Sequence, residues 1–199
     1  MMTVRQIEKW WAAKEHAKLS RECLAGRSEG VESMRGLLVG PVSAAALALV
    51  RLDELGQQSD FTSALLRAVI DAQSDEGGWD DPLLTALCVR ALLAHDDQHD
   101  RAAAGIASLA RLQRVDGAWP REPLRRMPGD AMATAFILLQ LVNDSGFRAV
   151  ARVDDAVRWL RSQQPGLTGD AGSLTRVALL RAASRRPIVR PTSIHLAAA

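Results

Sequence analysis

Tyrosine is absent from this 199-residue chain, phenylalanine occurs three times, cysteine twice, and 22 of the 25 basic residues are arginine. Cys23 and Cys88 form neither a disulfide framework nor a C-x-x-C pair, so no covalent staple is expected. No Lys/Arg run is interleaved with aromatics, which argues against a nucleic-acid partner. Long apolar runs are missing too. The richest window, Leu37 to Val50, meets Arg51, Asp53 and Glu54 well short of the ~20 residues of a membrane span. Met1 to Gln6 lack the apolar stretch of a signal peptide, and a cytoplasmic protein is expected. No segment alternates apolar and polar residues long enough to argue for a sheet.

What is present is enough apolar material, 48% of residues, for one domain that buries roughly 70% of its unfolded surface. The net charge of +2 hides an asymmetry. Residues 1–100 carry 10 basic and 16 acidic side chains, and 101–199 carry 15 and 7. A basic half can suit an anionic partner, but without a clustered run it reads as a solvated, arginine-rich surface.

Periodicity is helical nearly everywhere, and an all-α fold is expected. Thr3 with Gln6 fits a capping box, and Ile7, Trp10, Ala13, Ala17 and Leu24 share one face of a helix ending near Gly26. Beyond Gly40-Pro41 the chain repeats a figure: an almost wholly apolar helix, a short loop, then an amphipathic helix. The apolar helices align at Ser43, Thr85, Thr134 and, more weakly, Thr175; their partners run Ala64 to Gln73, Ala104 to Gln113 and Ala156 to Gln164. A period of 40 to 50 residues holds two helices and two loops, a succession of αα-hairpins. Helices that are apolar all round belong inside and charged-faced ones outside. Inner helices are expected to begin near 42, 83, 130 and 172, and outer ones near 4, 61, 101 and 150. One domain over 1–184 follows, with an outer helix in 1–26, repeats over 40–184, and an extended basic tail, 185–199, set by Pro187 and Pro191.

Two amphipathic helices end in the same pattern, Q-x-x-x-G-x-W: Gln73, Gly77, Trp79 and, 40 residues on, Gln113, Gly117, Trp119. Glycine can take the positive φ that ends a helix, glutamine can satisfy backbone groups left open there, and the indole can cover both. These six residues are therefore expected to form structural clamps. A third copy is degraded, since Gln163-Gln164 is followed by Pro165-Gly166-Leu167 without a tryptophan. With this double motif, residues 40 to 184 resemble the squalene-cyclase-like α/α-toroids, the repeat family of terpenoid cyclases and protein prenyltransferases.

The resemblance implies where chemistry would lie and shows what is missing for it. Class II cyclases protonate a polyene with D-x-D-D at the start of an inner helix, followed by Thr-Ala. The matching segment here, Asp130-Ala131-Met132-Ala133-Thr134-Ala135, keeps only the first carboxylate. Asp130 is the best catalytic candidate, yet a lone carboxyl lacks the neighbours that would tune it, and a helix-capping role competes. An active cyclase also lines its cavity with aromatic faces, and only Phe136 falls on an inner helix. The prenyltransferase zinc set is absent: neither cysteine lies in a D-x-C context, and His95 and His99 flank Asp96-Asp97 in a loop. The string Asp96-Asp97-Gln98-His99-Asp100 spells D-D-x-x-D but reads as a solvated loop, with Asp100 capping the next helix. No metal and no cofactor are expected. Asp75, Glu76, Asp80, Asp81, Asp116, Glu122 and Asp130 gather at the clamp end, as the carboxylate pair of a carbohydrate-active α/α enzyme would.

The reading favoured by these observations is a non-catalytic relative, binding an apolar, isoprenoid-like ligand or a protein through its concave face. An isoprenoid-processing enzyme with an unrecognised acid is the alternative, and a carbohydrate-active enzyme the second. A ligand would rest against Asp80, Asp81, Asp130, Met132 and Phe136. Four hairpins leave a toroid of six open, so its apolar inner face must be covered by the tail, by a partner or by a second copy in a homodimer.

Overall fold

The computed structural model describes residues 40–184 other than 58, 80 and 125. Contacts divide the chain after Gly40 into two units, and every helix that is described lies in the second, Pro41–Ala199. The helix expected within 1–26 and the tail 185–199 lie outside the described residues, as does Asp80.

Among the described residues, eight α-helices follow in order: α1 Pro41–Glu54, α2 Thr62–Asp71, α3 Pro82–Leu92, α4 His99–Leu112, α5 Ala131–Leu141, α6 Ser145–Val150, α7 Val153–Gln163 and α8 Gly169–Ser184. Short 3-10 turns, Asp96–Gln98 and Gln164–Gly166, join α3 to α4 and α7 to α8. Among the described residues there is no strand. Seven of these helices begin within three residues of the positions read from periodicity. The eighth, α6, was not foreseen: six residues are too few to show a 3.6-residue period, and only Asp144 at its start marks it, accepting from the Phe147 N–H at 2.7 Å.

The apolar helices line up in chain order, α1 against α3, α3 against α5, and α5 against α8. Helices α2, α4 and α7 pack on α1, α3 and α5 in turn, α7 also reaches α8, and α6 lies on α4. Burial follows position in that row. Every residue of α3 is buried, and so are Ala133 to Leu138 and Leu141 of α5. The end helices are covered on fewer sides, so only Ser43, Ala45, Ala46, Leu49 and Val50 of α1 and Gly172, Thr175 and Ala178 of α8 are buried. Each large aliphatic side chain sealed in α3 or α5 contributes about 1.5 to 3 kcal/mol by leaving water. The middle of the row therefore anchors the unit.

The C-terminal ends of the row carry charge. Arg90 of α3 is buried and donates to Asp53 of α1 at 2.8 Å. The Arg181 guanidinium of α8 is held below its ordinary pKa, first by burial and then by Arg90, with Glu54 acting against them. No helix among the described residues is long and apolar enough to cross a membrane.

Candidate functional site

The two clamps share their main bonds and differ at the amide oxygen: Gln113 Oε1 accepts from the Arg152 backbone N–H at 2.9 Å, Gln73 Oε1 from the Arg101 side chain at 3.3 Å. Gln73 Nε2 donates to the Gly77 carbonyl at 2.8 Å, and Gln113 Nε2 to that of Gly117 at the same distance. Each amide also reaches forward to the start of the following outer helix, Gln73 to the Arg101 carbonyl at 2.9 Å and Gln113 to that of Arg152 at 3.2 Å. The indole N–H of Trp79 donates to Val69 O at 2.9 Å, and that of Trp119 to Leu109 O at 2.8 Å, one helical layer back. Gly77 and Gly117 have φ of +83° and +90°, as the sequence requires. They answer a second demand as well. A Cβ on Gly77 would lie 2.7 Å from the Ala104 carbonyl, and one on Gly117 2.5 Å from the Ala156 nitrogen, so each turn touches the next outer helix. Trp119 is wholly buried and Trp79 is 6% exposed.

Three parts of the clamp escaped the sequence reading. The first is a threonine. Thr85 Oγ1 accepts from the Trp79 N–H, and Thr134 Oγ1 from the Trp119 N–H, both at 3.0 Å. The Thr134-Ala135 pair, which resembles the end of an acid segment, therefore closes a clamp; its recurrence six and fifteen residues after a tryptophan was the available signal. The second is Phe147 of α6, fully buried and stacked on Trp119 with ring centroids 5.9 Å apart. The third is arginine. Arg111 donates to the Glu76 carbonyl, Arg114 to that of Met127 at 2.7 Å, Arg148 to that of Val142 at 3.2 Å, and Arg152 to those of Val115 and Arg114. A guanidinium can reach two carbonyls at once, as Arg152 does, which explains arginine rather than lysine here. These side chains bolt loops together, where composition suggested solvated surface.

The degraded third copy has a physical consequence. Counting four, six and twelve residues from Gln163, as from Gln73, gives Leu167, Gly169 and Thr175 at the places of Gly77, Trp79 and Thr85. Thr85 and Thr134 are the fourth residues of their helices, but α8 begins at Gly169 and Thr175 is its seventh. The turn that should present a backbone N–H to the hydroxyl is absorbed into the helix. Thr175 Oγ1 is buried with no hydrogen-bond partner among the described residues.

Two of the carboxylates proposed for chemistry hold helix ends. Asp130 Oδ1 accepts from the Ala133 N–H at 2.7 Å, and Asp81 Oδ1 from the Leu83 and Leu84 N–H groups at 2.8 Å each. Both are N-caps in extended conformation. Of the expected ligand set, Met132 is half-buried and Phe136 buried. Asp130 alone lines a depression of about 130 Å³, with Arg121, Glu122, Met127, Pro128 and Gly129. A second depression, about 270 Å³, runs from Arg148 to Asp155 beside α7. Neither lies between the apolar helices.

Compared with models of known protein families and with curated proteins, the sequence matches none. The site must therefore be read from its own chemistry. Asp116 is paired with Arg114 at 3.3 Å and accepts from the Ala118 N–H. Asp96 and Asp97 sit in a 3-10 turn, and Asp100 lies in the first turn of α4 rather than at its cap, which is Gln98. His99 Nδ1 meets the Asp96 carbonyl at 2.6 Å. Among the described residues no three His, Cys, Asp or Glu side chains are grouped to hold a metal. Cys88 is buried, and its thiol is pushed far above the ordinary range by burial first and by Asp81 second. It is not a nucleophile at neutral pH.

Proposed function

We propose that this chain is a non-catalytic relative of the squalene-cyclase and prenyltransferase repeat family, part of an α/α-toroid whose hairpins form a binding module. Its partner is a protein or an apolar, isoprenoid-like molecule, held through the concave face of the row at α1, α5 and α8, whose residues are not all buried as those of α3 are. One observation carries the reading: Asp130, where the family's acid belongs, caps α5 through Ala133, and the helix behind it is packed with aliphatic side chains. A general acid must reach the atom it protonates, and Asp130 borders a surface depression of about 130 Å³ rather than a space between the apolar helices. The same packing favours a protein over a small ligand, because such ligands bind in enclosed spaces of several hundred Å³.

The test has two arms. Purified protein incubated with a linear polyene, and separately with an allylic diphosphate and Mg²⁺, should yield no product above buffer. Native mass spectrometry of protein from its own host should show it carrying a partner or ligand that raises its melting temperature. Turnover that disappears in Asp130→Asn, a substitution that keeps the cap, would overturn the reading in favour of an enzyme.

A further inference from the structure

Seven large apolar side chains are exposed among the described residues; Val115, Leu124 and Val150 lie in the middle of the chain, and the other four fall at the two ends of the row. Leu55 and Phe61, 62% and 71% exposed, stand at the α1–α2 end of the row; Val177 and Leu180, 50% and 70% exposed, stand on α8 at the other. These are the two flanks that no further helix of the described residues covers. The α8 end is also where the clamp series stops short, with the buried Thr175 hydroxyl unpartnered among the described residues.

The two ends are opposite in charge. Residues 40–72 carry four acidic and two basic side chains, and residues 151–184 carry three and five. The exposed Asp60 adjoins Phe61, and the exposed Arg176 adjoins Val177.

We propose that these two ends are the halves of a contact between copies of this chain, the acidic Leu55–Phe61 end of one copy seating on the basic Val177–Leu180 end of the other. Each copy offers both halves, so two contacts related by a twofold axis close the pair and leave no end free. The four side chains expose roughly 400 Å² per copy, about half of what each partner gives to a stable dimer, and their flanking polar residues make up the rim. The opposite charges fix which end meets which, because like ends would repel. This self-association is independent of whether the inner face binds anything, so its failure and that of the binding reading are separable.

Light scattering on the full chain at micromolar concentration should give twice the 21.5 kDa of one copy. Phe61→Glu and Leu180→Glu, both at exposed positions, should each weaken the pair at least tenfold without changing the circular dichroism spectrum. Asp60→Arg and Arg176→Asp should each be monomeric alone, and an equimolar mixture of the two should pair again, because each repaired contact then joins opposite charges. A monomeric wild-type chain, a pair that survives both apolar substitutions, or charge variants that stay apart when mixed would each overturn the proposal.

Discussion

Replacing Trp119 by alanine tests the clamp most directly, because this indole is completely enclosed and its contacts are known atom by atom. Three losses follow. The largest is the cavity: truncating a buried tryptophan costs about 3 to 5 kcal/mol, since the surrounding helices collapse only in part. The second is the stacked Phe147 ring, worth about 0.5 to 1.5 kcal/mol beyond area burial. The third is the indole hydrogen bond to Leu109 O, and it is small, because that carbonyl still accepts from the Gln113 N–H at 3.1 Å and is not orphaned. Trp119→Ala should therefore lose about 4 kcal/mol in urea or guanidinium titration followed by far-ultraviolet circular dichroism, a signal that does not depend on the missing indole. Trp119→Phe should lose less than half as much, because a flat ring remains against Phe147 while the polar tip goes. A loss below about 1 kcal/mol for the alanine variant, with the spectrum unchanged, would show that the clamp does not hold the fold together and would refute the packing argument.

The threonines give an internal comparison. Thr134→Val leaves the buried Trp119 N–H without its acceptor and should cost about 1 to 3 kcal/mol, whereas Thr175→Val removes a hydroxyl with no partner among the described residues and should be neutral or stabilising; equal losses from the two by chemical denaturation would contradict this. Cys88 should resist alkylation in the folded protein and react only on unfolding, measured in a Cys23→Ser background so that one thiol is counted. Its folded pKa lies above the ordinary 9.0, so this contribution to stability is fully present below about pH 9 and is lost as pH rises further and the unfolded thiol ionises. Cys88→Ala should flatten that alkaline decline, and an unchanged slope would remove the thiol from the account.

How much of this was legible in the sequence depends on the range of each interaction. The helices were legible, because a 3.6-residue period needs only neighbouring turns, and so was the capping role of Asp130, whose partner N–H lies three residues away, though the same local signal at Asp81 was passed over. The glutamine-to-glycine half of each clamp was legible for the same reason, spanning four residues and ending at a positive φ that glycine adopts without strain. Its other half was not. Gln73 meets Arg101 across 28 residues and Gln113 meets Arg152 across 39, and no periodicity says which carbonyl will stand opposite an amide at that distance. The same limit hid Phe147 beneath Trp119 and the arginine side chains that tie one loop to the next. The row itself decided the rest. Inner helices of similar composition ended differently, α3 buried throughout, α5 with only Ala131, Met132, Leu139 and Gln140 part-exposed, α1 and α8 with flanks left open. Composition sets how much apolar surface a helix must hide, but only the neighbours it finds in the folded chain determine how much of it is hidden.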